Sequence, residues 1–200
     1  MSVTIDHEPL AAEKMGYFTV GHVLAHIQKD NRLVTNLLID GQEPDLDRIG
    51  TVRQSLLNAH TIFIETADPS KMAMDVLGEV EEQLCETDRL RLGAVELLQR
   101  GQANRAMEKL SGCFGTWQIA QDSVVKIAQL LRIDLEAMKV WGVPLTGMLA
   151  DFTAQLRQIK IALENRDFVT LTDILTYEAT ETSNQWRAAL AAIRGVIKPA

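Results

Sequence analysis

Asp173 and Tyr177 are four residues apart, and Glu178 follows directly. A helix would present the three together. Arg157 and Lys160 precede them, on the far side of a tight Asn165-Arg166-Asp167 turn. Two helices folded back around that turn would bring Lys160 level with Asp173. A carboxylate, an ammonium and a phenol meeting in one place could exchange protons in general acid–base chemistry. The same residues could equally form an inter-helix salt bridge with a tyrosine hydroxyl at its edge. A retained ion pair of that kind can fix helix register. The salt bridge is the expected role.

The histidines offer a second constellation. His7, His22, His26 and His60 all precede residue 69, and His22 and His26 are spaced to share one helix face. A metal would need a third ligand, for which only His60 stands out, and no HExxH pattern is present. Two histidines on a solvent-facing stripe is the expectation, with no metal and no cofactor. A di-iron bundle needs Glu-x-x-His pairs, and the chain beyond Pro69 has no histidine, which removes that reading and histidine-ligated haem together. Cys85 and Cys113 are the only cysteines, too few for a disulfide framework or a structural zinc site. They are expected as buried, reduced thiols. Gly112-x-x-Gly115 has neither the lysine nor the preceding strand of a phosphate loop; close helix packing is its expected role. No G-x-S-x-G element and no Ser-His-Asp grouping appears. Trp141, between Val140 and Gly142-Val143-Pro144, sits at a junction where it could anchor a partner or cap a bundle's end. Met72, Met74, Met107, Met138 and Met148 fall on or beside apolar stripes, as core residues do.

The elements that must position these residues follow two different periodicities. Before residue 69 the chain reads as a small α+β unit. Val3-Thr4-Ile5 starts a strand, Glu8-Pro9 suits a turn, and a second strand is expected over Met15 to Phe18. Thr19 is placed to cap a helix carrying Val20, Val23, Leu24 and Ile27. Leu33 to Ile39 is rich in strand formers and closes on Asp40-Gly41. Asp45 to Asn58 is a connection with one helical turn near Ser55-Leu56-Leu57, and Thr61 to Glu65 is the clearest strand. Hairpin, covering helix and further strands is the layout of a ubiquitin-like β-grasp.

At Asp68-Pro69 the pattern changes, with a good N-cap followed by a residue suited to the first helical position. Met72, Val76, Val80, Leu84 and Leu98 mark one helical face, with Leu77 widening it, and Gly101 is a natural stop. A second helix from Gln102 keeps its stripe through Leu131, across Gly112 and Gly115. Residues 133–143 are expected to extend it or to form a short helix. A third runs from Pro144 to Glu164. A fourth begins after Asp167, carries Phe168, Leu171, Leu175 and Trp186, and frays toward Pro199. Short connections between long helices favour an antiparallel bundle of about four. The expectation is therefore α+β, with a β-grasp-like domain over 1–68 and a helical bundle over 69–200.

The 200 residues carry a net charge of −7, of which −5 falls before Pro69. Nucleic acid is not the expected partner, because phosphate binding needs clustered Lys and Arg, and the densest basic spot is Arg89-Leu90-Arg91. No run approaches the roughly 18 apolar residues of a membrane span. Asp6, Glu8 and Glu13 stand where a signal peptide would be basic and then apolar. A cytoplasmic protein is expected.

With these pieces in place, the chain resembles a group of uncharacterised bacterial proteins. Val3-Thr4-Ile5, Thr19 to Ile27 and Val34 to Gly41 match the group's opening strand, Thr-led helix and strand closing on Asp-Gly. The segment from Ile159 through Asp167 to Leu171-Thr172-Asp173-Ile174-Leu175-Thr176-Tyr177-Glu178 is similar to its L-x-D-x-L-x-Y-E segment, with Trp186 following. His7 stands where the group often has Gly. The resemblance implies the two-part architecture and a bacterial origin, and no activity.

The functional expectation is a non-catalytic protein-binding or adaptor protein. Its contacts are expected at the open face or edge of the sheet near Ile62 to Ile64 and at the bundle end near Trp141, with self-association into a homodimer through the helices. A helical-bundle chaperone for a secreted or flagellar client is the alternative. A small-ligand binder or enzyme built on Lys160, Asp173, Tyr177 and Glu178 is another, and it requires those groups to converge in a pocket.

Overall fold

A computed structural model describes residues 2–197. It is a mixed α+β structure that divides into two compact units, one ending at Met72 and the other beginning at Ala73.

In the first unit, β1 (Ser2–Ile5) turns at once into β2 (Glu8–Pro9), pairing Ile5 with Glu8 and Thr4 with Pro9. The turn is Asp6-His7, both left-handed at φ 50° and 68°. A two-residue hairpin needs that conformation to match the strand twist. The expected turn at Glu8-Pro9 is therefore an edge strand, where a proline's missing N–H is tolerated. Because the hairpin is closed so early, Met15 to Phe18 forms no second strand. Residues 12–16 are turns, and Tyr17 N–H donates to Ala12 O at 2.9 Å.

Helix α1 (Val20–Lys29) follows, with β3 (Leu33–Ile39), α2 (Ile49–Gln54) and β4 (Thr61–Ala67) after it. The helical turn expected near Ser55 is α2, a few residues earlier, with a 3₁₀ turn at Leu57–Ala59 behind it. The sheet order is β2-β1-β4-β3. β1 runs parallel to β4, and β3 runs antiparallel to it. Register places Val3, Ile62 and Ile39 in one row and Ile5, Ile64 and Leu37 in the next. These rows meet Val20, Val23 and Ile27 of α1 in a core of their own. β4 is central, and Ile62 and Ile64 are fully buried. The expectation of a binding edge near Ile62 to Ile64 is thus corrected: the free edges are β2 and β3.

Helix α3 (Pro69–Gln99), most of it in the second unit, is capped by Asp68, whose Oδ1 accepts from Ser70 N and Lys71 N at 2.7 and 3.1 Å. It stops at Gly101 (φ 72°), with Gln102 N–H donating to Leu97 O and Gly101 N–H to Leu98 O. That paired closure is the Schellman stop. α4 (Ala103–Leu131) is continuous through Gly112 and Gly115. A Cβ at either glycine would meet nothing within 4 Å, so close helix packing does not explain them. Residues 133–143 form neither a helix nor an extension of one. They form turns and a small hairpin, β5 (Lys139–Val140) with β6 (Val143–Pro144), around Trp141-Gly142 at φ 52° and 85°.

α5 (Leu145–Glu164) leads through Arg166 to α6 (Phe168–Asp173). Asp167 caps α6 by accepting from Thr170 N at 3.0 Å. Ile174–Glu178 then widens into a π-helical turn before α7 (Ala179–Val196). Leucine and isoleucine stripes from α3, α4, α5, α6 and α7 share one core. Through it runs an edge-on aromatic chain, Phe114–Trp117–Phe152–Trp186, with centroid spacings of 5.6, 6.3 and 5.4 Å.

Candidate functional site

The residues expected to converge do not. Asp173, Tyr177 and Glu178 are exposed, Tyr177 by 71%. Lys160 is also exposed and pairs along its own helix with Glu164 at 3.8 Å. Among the described residues no hydrogen bond or ion pair links Lys160 to Asp173, Tyr177 or Glu178, so neither the acid–base site nor the inter-helix bridge is formed by this set. Glu178 faces a shallow open groove with Asp167 and Thr170, floored by Ala162 and Ile174. Trp186 is buried in the aromatic chain. Trp141 is 68% exposed at a hairpin tip.

The charged network of the helical unit lies elsewhere. Arg91 is 2% exposed. Its guanidinium reaches Asp88, the Leu175 carbonyl and Thr180 Oγ1, the last at 3.2 Å. Asp88 also accepts from Ser183 Oγ at 2.6 Å and from Arg187 at 2.7 Å. The Leu175 carbonyl belongs to the π-helical turn. Arg91 donates to that carbonyl and so ties the turn to α3. The sequence carried one signal for it: Leu77, Leu84, Arg91 and Leu98 keep a spacing of seven, so the arginine holds a core position. Cys113 lies nearby, donating to Thr87 O at 3.7 Å, and burial pushes its thiol up to about 11. It is an inert thiol at neutral pH. Cys85, expected to be buried, is exposed.

The histidines serve local structure. His22 Nδ1 accepts from Phe18 N–H at 3.2 Å, a bond at the entrance of α1 where the Thr19 side chain makes no cap. His60 Nδ1 and Asp40 Oδ2 are 2.7 Å apart, His26 lies beside Asp30, and His7 packs on Phe63. Among the described residues no three His, Cys, Asp or Glu side chains are grouped to hold a metal.

A concavity with charged groups at its walls lies in the first unit. A groove of about 510 Å³ runs between α1, β3 and α2, lined by Leu24, Ile27, Leu37 and Ile49. Arg32, Arg53 and Glu43 stand at its walls. One wall is the outer edge of the sheet. Ile39 exchanges both backbone bonds with Gln42 on that edge, at 2.9 and 3.1 Å, while Asp40 N–H turns inward to Thr61 O. Strand alternation then points the N–H and C=O of Leu37 outward as well. Among the described residues they meet no backbone partner. Thr35 lies at a register shift between Val34 and Asn36, and Val34 is 38% exposed.

Arg32 is held in place by Asp6, at 3.2 Å, and by Thr66. The hydroxyl and amide of Thr66 donate to the Asp6 carboxylate at 2.6 and 2.7 Å. Those hydrogen bonds, the hydroxyl's first, hold the Asp6 carboxyl below the usual range, with the Arg32 charge assisting. Arg53 is exposed and, among the described residues, takes part in no ion pair. These groups can hold an extended chain by backbone pairing at Leu37, an apolar side chain over Leu24 and Ile27, and a charge at Arg53. They make no nucleophile, base or metal centre.

The chain matches no known family model, no curated protein and no solved structure at a significant level. No helix among the described residues is long and apolar enough to cross a membrane.

Proposed function

We propose that this is a non-catalytic protein-binding protein that takes an extended segment of a partner by strand addition along the outer edge of β3. The observation that carries it is the outward Leu37 rung, open beside an apolar groove. An unpaired edge is a template for another strand, with main-chain bonds giving affinity and pockets for alternate side chains giving specificity. The mixed sheet, with its first and last strands parallel at the centre, supports a β-grasp arrangement for residues 1–68. The shared core of α3 to α7 supports a bundle for the rest. The resemblance to the bacterial group and a cytoplasmic location belong to the same proposal.

The test pans a random dodecapeptide display library against the full chain and follows amide exchange with an enriched peptide bound. The reading expects slowed exchange at Leu37 and its β3 neighbours. Enriched peptides that protect only the hairpin at Trp141, or no enrichment at all, would overturn it.

A further inference from the structure

We infer that the groove between α5 and α6 with its π-helical turn is an interface with a second copy of this chain, related by a two-fold axis running along the groove. The groove holds about 370 Å³, with Gln158, Ile161 and Ala162 of α5 on one wall and Thr170, Ile174 and Glu178 on the other. Large apolar side chains stand around it in solvent. Ile161 is 56% exposed. Val169 and Tyr177, each next in sequence to a lining residue, are the two most exposed large apolar side chains among the described residues. Apolar groups gathered at one groove, rimmed by charge, mark an interaction surface.

The charges select the occupant. Arg157, one turn before Ile161, is exposed on the α5 side, and Asp173 and Glu178 are exposed on the other. None of the three enters an ion pair among the described residues, while Lys160 is taken up by Glu164 on its own helix. One wall thus offers a free cation and the other free anions. A foreign partner needs only one sign; a surface with both, sorted by wall, complements itself. The two segments fold back around Arg166, so residues equally far from it lie level across the groove, Ala162 with Thr170 and Gln158 with Ile174. Asp173 and Glu178 bracket the level of Arg157. A two-fold axis along the groove keeps those levels and exchanges the walls, so α5 of each copy faces α6 and the π-helical turn of the other. Arg157 of one copy then lies between Asp173 and Glu178 of the other, twice in the dimer, and Ile161 and Tyr177 cover each other.

Sedimentation velocity of the full chain over a wide concentration range tests this, and a concentration-dependent dimer is expected. Arg157→Glu breaks two symmetry-related contacts, each about threefold for an exposed pair, so dimerisation should weaken by about tenfold. The double variant Asp173→Lys/Glu178→Lys should weaken it likewise. An equimolar mixture of the two variants should recover the dimer, because the new Glu meets the new Lys residues and the native contact is kept once. All three positions are exposed, so circular dichroism should show both variants folded as wild type is. A chain that stays monomeric throughout, or a dimer that neither variant weakens, would overturn the inference. So would a mixture that associates no better than its two components.

Discussion

Arg91 shows how one buried residue can join two helices. Its fork satisfies the carbonyl of the π-helical turn while pairing with Asp88, which also holds Arg187 and Ser183. Removing the Arg91 guanidinium takes one of two cations from Asp88 and a buried donor from the Leu175 carbonyl. Arg91→Ala should therefore lower stability by about 3–5 kcal/mol, measured by urea unfolding. Lys160→Ala should change it by about 0.5 kcal/mol or less, as for exposed pairs. A large loss at Lys160 and a small one at Arg91 would reverse the assignment of the network. Asp6 makes a second residue-scale prediction. Its folded carboxyl is depressed chiefly by the Thr66 hydroxyl, so the stability it adds is complete above the ordinary carboxylate range of about 3.9. That stability is lost as pH falls through the depressed value. Wild type and Asp6→Asn should differ near neutral pH and converge in acid. A gap that stays constant to pH 2 would contradict the assignment.

At the scale of elements, apolar periodicity and caps made much of the structure legible. The stripes of α1, α4 and α5, the strands β3 and β4, and the caps at Asp68 and Asp167 rest on local rules that tertiary context did not override. What stayed hidden has a physical reason in each case. Asp6-His7 and Trp141-Gly142 adopt the left-handed turn of a two-residue hairpin without the usual Asn-Gly pair. Composition therefore pointed to Glu8-Pro9 in one case and to helix in the other. The π-helical turn has no composition of its own, because its partner Arg91 comes from a distant helix. Lys160 and Asp173 were assigned to each other by level along the chain, yet their side chains face solvent. The hairpin tip also makes a prediction. An L-residue in the left-handed region costs about 1–2 kcal/mol, and Asn tolerates it better. Trp141→Asn should raise the melting free energy by about 1 kcal/mol while leaving peptide binding at β3 unchanged. Loss of binding in that variant would move the contact surface to the helical unit.

For the whole molecule, charge and architecture point the same way. The net charge of −7, with −5 of it before Pro69, disfavours phosphate contacts in general. Strand addition at β3 is proposed from the open Leu37 rung and the groove beside it. The strongest polar network serves the helical core, and the open hydrogen-bonding groups lie on the sheet edge of the other unit. The account depends on that edge being free before a partner arrives. Residue-resolved amide exchange of the full chain alone tests it directly. Leu38, whose N–H turns inward toward β4 by strand alternation, should exchange slowly, and Leu37 beside it should exchange far faster. Equal protection of the two amides would mean that the edge is already covered, and strand addition at β3 would be excluded.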